Sequence, residues 1–229
     1  MVKPLLYLLL LLIPLANKAG SGNLLPAMDK HVDLYTELNL FQKGLSDEVF
    51  QLALKGQRKL GALGKLRNPN ILTIADFSQS SKNKRLYVID LLHKVLLFNT
   101  YVAHGRHTGD EFAKHFSNVS GSFESSLGFY ITREKNIGSS VGLSLILDGV
   151  EKGFNDNALK REIVIHGADY ATENFIRKTG RLGRSYGCPA LPPNIISQVV
   201  EAIKEGSCLF IYCQNKLYLN HSPLLNQPN

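Results

Sequence analysis

The chain has no tryptophan and only three cysteines and two methionines in 229 residues. Three is an odd and sparse set, so a disulfide framework is not what holds this fold. Two of them, Cys208 and Cys213, bracket the apolar run LFIY, which reads as one buried strand. Residues five apart on a strand face opposite sides and do not bridge, so both read as small buried hydrophobes. No C-x-x-C pair and no H-E-x-x-H helix occurs, so the spacing calls for no zinc site and no other metal, although Cys188, His166 and a distant third ligand stay open as a set. Beyond the first 22 residues there is no apolar run long enough to cross a bilayer. No basic helix is present, nor a run of lysine and arginine interleaved with aromatics, which argues against nucleic acid as a partner. No repeat, low-complexity tract or disorder-type composition is found.

What is present begins at the N-terminus. MVKPLLYLLLLLIPLANKAGSG has one lysine, an apolar run from Leu5 to Leu15, then small and polar residues. That is the layout of a secretory signal peptide, read here as residues 1–19 with cleavage after Ala16 or Ala19, rather than an uncleaved anchor. No cysteine follows the run, so no lipid attachment is expected there. The expectation is an exported protein of the periplasm or cell envelope, without a stable membrane span once the signal is removed. The formal charge is +7 and the pI about 9.3. On an exported protein, that is a solvated basic surface or a preference for polyanionic wall material.

Residues 24–70 read as a helical extension. Ser46 followed by Asp47 and Glu48 is a helix start, since a cap oxygen and first-turn carboxylates satisfy free amides. Val49, Leu52, Ala53, Leu60 and Leu63 form the expected apolar stripe, and GKLRNPN ends it. From residue 71 the period becomes strand-like. Strands are expected at 71–77, 84–91, 94–104, 125–134, 142–148, 161–168 and 208–213, with a hairpin turn near Leu92–His93. Helices are expected at 170–180 and 192–206; the second opens on Pro192 and Pro193, which suit a first turn. The fold class is mainly β with short helices (α+β), a sandwich or barrel over 71–220 led by the helical extension.

The stretch GRSYGCPAL (183–191) places Cys188 between Gly187 and Pro189, just ahead of that helix start. A thiolate is favoured by an imidazole nearby and by a helix N-terminus, which makes Cys188 the candidate nucleophile. His166 ends the buried run IVI and is the candidate base. The amides of Tyr186, Gly187 and Cys188 are candidate oxyanion donors. His104 also ends a strand, so it either lines the same cleft or sits at its rim; His107 reads as solvated. Arg181 and Arg184 flank the cysteine loop and are candidates for binding a substrate carboxylate through paired donors. The group orienting His166 is left among Ser185, a backbone carbonyl and Asp169.

IVIHGADY followed by GRLGRSYGCPAL resembles the signature of the murein L,D-transpeptidase catalytic domain family, the YkuD-type fold. The HG pair is His166-Gly167, and the S-x-G-C motif is Ser185-Tyr186-Gly187-Cys188. The likeness extends upstream through LTIADFSQSSKNKRLYVIDL, TYVAHG, FSNVSGSFESSLGFYIT and GFNDNALKREIVIHGA. The resemblance implies a cysteine acyltransferase needing no cofactor and acting on peptidoglycan stem peptides. Cys188 attacks the carbonyl between the third and fourth stem residues, D-alanine leaves, and an amine of a neighbouring stem takes the acyl group. With water as acceptor the outcome is hydrolysis, of wall peptide or of a lipoprotein linkage. Ser185 then supports the loop. Two positions depart from the common pattern: Tyr186 stands where histidine is usual, and Pro189-Ala190 where arginine or asparagine follows the cysteine. A non-catalytic wall-binding protein would retain the same fold.

Overall fold

A computed structural model describes residues 30–138 and 140–226. The expected signal segment and the first residues of the extension lie outside them. The described chain begins with α1 (Lys30–Glu37), a 3-10 turn at Phe41–Lys43 and α2 (Asp47–Ala62). Ser46 caps α2 as expected, its hydroxyl accepting the Val49 amide at 3.3 Å. The buried stripe is Val49, Phe50, Ala53, Leu54, Gln57 and Leu60. This corrects the expected one: Leu52 is half-buried and Leu63 lies past the helix end, exposed. Fully burying a side chain such as Phe50 or Leu54 is worth about 1.5–3 kcal/mol, so this face fixes the helix on the sheet. Gly56 allows the close approach, because a Cβ there would lie 2.0 Å from the Phe129 ring, which itself stacks on Phe210 at 4.1 Å.

Eight strands follow in one mixed sheet: β1 (Ile71–Asp76), β2 (Leu86–Asp90), β3 (Val95–Thr100), β4 (Gly128–Gly138), β5 (Gly142–Gly149), β6 (Val164–Gly167), β7 (Ala190–Leu191) and β8 (Cys208–Tyr212). Their order is β3-β2-β1-β8-β4-β5-β6-β7. β1–β8 and β6–β7 are parallel and the other pairs antiparallel. Past β3, Ala103 bridges back to Ala190 of β7, with N···O distances of 2.9 and 3.2 Å, so the sheet nearly closes into a barrel. The β2–β3 hairpin turns where expected: the Asp90 carboxylate accepts the amides of Leu92 and His93 at 3.0 and 2.9 Å.

Three further departures concern the C-terminal third. α3 (Glu173–Thr179) starts at the Thr172 cap, after a 3-10 turn at Asp169–Ala171. α4 spans Ile196–Ile203, not 192–206; Pro192 and Pro193 lie in a turn in which the Ile195 amide reaches the Pro192 carbonyl at 3.2 Å. α5 (Lys216–His221) and α6 (Pro223–Asn226) had no counterpart in the sequence reading. α5 is pinned by the buried Glu151 carboxylate, which accepts the Tyr218 hydroxyl and the Phe129 amide, both at 2.8 Å. Cys208 and Cys213 are buried and free, as read. No helix among the described residues is long and apolar enough to cross a membrane.

Candidate active site

β6 ends at the mouth of a cleft of about 720 Å³ whose walls include His166, Cys188, Tyr186, Arg181 and Arg184. His166 reaches it because β6 pairs with β5 on one side, opposite Ser144, and with β7 on the other, opposite Ala190. The His166 amide also bonds the Pro189 carbonyl at 3.3 Å. The loop that carries Cys188 therefore continues directly into a strand hydrogen-bonded to the strand that carries the imidazole. Gly167 follows His166 in close contact with the start of α4 and the turn before it: a Cβ there would sit 3.2 Å from Ile196 and 3.4 Å from Pro193.

The imidazole is oriented by backbone rather than by an acid. His166 Nδ1 lies 3.0 Å from the Gly167 carbonyl, to which it donates, so Nε2 carries the free lone pair. Among the three groups left open, the carbonyl is the one in contact. Burial lowers the His166 pKa, partly opposed by that hydrogen bond, so the ring is neutral at neutral pH.

Cys188 is half-buried. Its Sγ accepts the Val164 amide at 3.5 Å and donates to the Glu162 carbonyl at 3.8 Å. The sulfur and the His166 ring share the cleft, but the described hydrogen bonds of the thiol run to the start of β6 and not to the ring. Burial raises the thiol pKa; the Val164 amide and the Arg161 guanidinium oppose the rise, and Glu162 adds to it. The expected helix start does not act here, because α4 opens only at Ile196, beyond β7.

Ser185 builds the loop. Its hydroxyl accepts the Gly187 amide at 3.1 Å and donates to the Cys188 carbonyl at 2.5 Å. Gly187 has φ +126°, a conformation that suits glycine, and its carbonyl accepts the Ser125 hydroxyl at 3.0 Å. Of the three candidate oxyanion donors, the Gly187 amide is thus occupied. The amides of Tyr186 and Cys188 have no partner among the described residues. Tyr186 is 67% exposed, 5.0 Å from the Phe123 ring, with the Arg106 guanidinium 5.7 Å from its ring centre.

Arg181 and Arg184 both face the cleft and share Asp110, at 3.7 and 2.6 Å. His104 is neither on the cleft wall nor at its rim. It is 1% exposed; Arg85 donates to its Nδ1 at 2.8 Å, and its Nε2 contacts the Gly109 carbonyl at 3.2 Å. Burial, with the Arg85 charge second, drives its pKa down to about 3. Its contribution to the site is through its backbone carbonyl, which takes the Ser185 amide at 3.0 Å. His107 is exposed and bonds the Ser122 carbonyl at 2.8 Å. Among the described residues no group of three or more His, Cys, Asp or Glu is placed to hold a metal ion.

Arg161 was passed over in the sequence. Its guanidinium bonds the Ser117 and Glu124 carbonyls at 2.7 and 2.6 Å and the Ser126 and Ser122 hydroxyls at 2.5 and 3.3 Å. The signal was present, since an arginine just before a buried strand cannot take its charge into that strand.

Residues 41–212 match the sequence model of the L,D-transpeptidase catalytic domain, and the chain belongs to that family. The matched region begins inside the segment read as a helical extension and includes α2. No curated protein matches the chain. Solved structures resemble it distantly. An L,D-transpeptidase from Mycobacterium smegmatis is 12% identical with TM-score 0.39, covering 63% of this chain and 59% of that one. One from Mycobacterium tuberculosis H37Rv is 16% identical with TM-score 0.38, covering 63% and 58%. A mutant enzyme from Enterococcus faecium is 11% identical with TM-score 0.39, covering 62% and 50%. The chain thus spans between half and three-fifths of the length of these structures.

Proposed function

We propose that the chain is an exported cysteine acyltransferase acting on peptidoglycan stem peptides through a thioacyl-enzyme at Cys188. What carries the reading is that a thiol and a neutral imidazole with a free Nε2 line one open cleft beside two unpartnered amides. In the forward step Nε2 of His166 takes the Sγ proton once the side chain turns from Glu162, and sulfur attacks the carbonyl between the third and fourth stem residues. The oxyanion is held by the Tyr186 and Cys188 amides. The tetrahedral centre then collapses: the C–N bond breaks, the imidazolium gives its proton to the departing amine, and D-alanine leaves. An acceptor amine attacks the thioester, loses its proton to Nε2, and thiolate is expelled and reprotonated. Electrons and protons balance with no cofactor.

Tyr186 can replace the usual histidine because the oxyanion role uses only its amide. Arg181 and Arg184 hold a substrate carboxylate once Asp110 is displaced. Export rests on the N-terminal sequence pattern, and residues 71–220 are proposed as the catalytic unit. The test is digestion of purified sacculi with mass analysis of the muropeptides. Wild type yields 3–3 crosslinked dimers and Cys188→Ala yields none. Trimmed monomers without dimers would instead assign water as acceptor, and no product from wild type would overturn the enzymatic reading.

A further inference from the structure

The thiol has no helix N-terminus behind it, and its hydrogen bonds do not reach the imidazole. Arg161 is packed against the loop carrying Cys188 at Gly187; Arg106 lies over the Tyr186 ring, and Arg181 and Arg184 line the cleft, where both reach Asp110. A Cβ added at Gly187, the residue before Cys188, would lie 3.3 Å from Arg161 Nη2. The four hydrogen-bond acceptors of that guanidinium are two carbonyls and two hydroxyls, all neutral. A half-buried charge with only neutral acceptors keeps most of its field for its surroundings, since no carboxylate in contact cancels it.

The same four bonds reach Ser117, Ser122, Glu124 and Ser126, which lie along one loop. That loop lies under the nucleophile: the next residue, Ser125, donates to the Gly187 carbonyl, and the Glu124 carbonyl is 3.0 Å from the Gly187 Cβ position. The residues that follow Arg161 complete the surroundings of the sulfur. Glu162, at φ +56°, turns its carbonyl to the thiol, Val164 offers its amide, and His166 its ring.

We propose that Arg161 is a positioning residue for Cys188, tying the 117–126 loop beneath the nucleophile and setting a positive charge beside the sulfur. This rests on Cys188 being the nucleophile. The direction of the Arg161 effect on the thiol is the one expected, opposing the rise that burial causes. The other ionisable groups around the sulfur are Glu162, Tyr170 and His166; Glu124 and Tyr130 face the guanidinium. The cations that share the cleft are Arg106, over the Tyr186 ring, and Arg181 and Arg184, both paired with Asp110.

The test is the pH dependence of iodoacetamide alkylation at Cys188, followed by peptide mass mapping so that Cys208 and Cys213 do not contribute. Arg161→Gln is expected to raise the midpoint by about one pH unit, lowering alkylation at pH 7 about tenfold and leaving the alkaline plateau unchanged. Arg161→Lys keeps the charge and is expected to hold the wild-type midpoint. Ser126→Ala removes one hydrogen bond but no charge and is expected to leave it in place. A wild-type midpoint in Arg161→Gln overturns the proposal. If Arg161→Gln does not fold, Arg161→Lys decides: an unmoved midpoint supports the role and a raised one overturns it. Alkylation reads ionisation of the thiol, not acyl transfer, so a chain inactive on sacculi still returns this answer.

Discussion

Ser185→Ala removes one hydroxyl and with it two hydrogen bonds that define the loop carrying Cys188. Ser185 is 5% exposed, and its oxygen accepts from Gly187 N at 3.1 Å while donating to the Cys188 carbonyl at 2.5 Å. The backbone of Ser185 stays anchored, since its amide bonds the His104 carbonyl and its carbonyl takes the Arg106 amide at 2.7 Å. The loss is therefore confined to the turn that presents the thiol. Each hydrogen bond is worth about 1 kcal/mol net, and the freed Gly187 amide is buried, so the cost is at least about 2 kcal/mol. For a chain of this size that lowers the melting temperature by about 4–8 °C. Activity suffers more than stability, because the freed Gly187 amide no longer fixes the register of its neighbours. A shift of the order of 1 Å in a reacting group costs about a hundredfold in rate. Thermal unfolding and the rate of acylation by a carbapenem, measured on the same preparation, check both. Ser185→Thr keeps the hydroxyl and is expected to retain most of each. An unchanged melting temperature together with an unchanged acylation rate in Ser185→Ala would refute the claim that this hydroxyl builds the loop.

Other expectations follow from the same geometry. His104 has a folded pKa near 3 against about 6.5 unfolded, so the unfolded chain binds the extra proton between those values. Its effect is absent above pH 6.5 and grows as pH falls towards 3, reaching on the order of 3 kcal/mol of lost stability by pH 4. Denaturant titrations at pH 7 and pH 4 should show a smaller acid loss in His104→Gln than in wild type; equal losses contradict the buried neutral ring. Asp110 is 79% exposed and occupies the two cleft arginines. Asp110→Asn is expected to lower KM for a stem peptide with a free carboxylate about two- to fivefold, the scale of a surface ion pair, with kcat unchanged. A raised KM would mean that Asp110 orients the arginines rather than competes for them.

Much of this was legible in the chain because its causes are local. The β2–β3 hairpin follows from two runs rich in β-branched and aromatic residues on either side of an Asp90 turn, and the start of α2 from Ser46 and its acidic neighbours. What escaped was fixed by distant partners. β7 is two residues long and exists only because β6 and Ala103 supply its hydrogen bonds. α4 starts late because Pro192 and Pro193 fit a turn as well as a first helical turn, and packing chose the turn. His104 and His166 both end apolar runs, yet one faces Arg85 inside the barrel and the other faces the cleft; strand position does not encode that difference without the pairing partners. The motif places Cys188 and Ser185 in one loop, whereas Arg161 lies far from them in sequence and meets that loop only in the folded chain.

The central claim, that Cys188 carries the acyl group, is met most directly by intact-mass analysis after incubation with a carbapenem. The account predicts a single added mass equal to the drug on the wild-type chain, mapped to the peptide containing residue 188 and absent from Cys188→Ala. An adduct of the same mass that persists in Cys188→Ala, or a wild-type chain that stays unmodified, would contradict it.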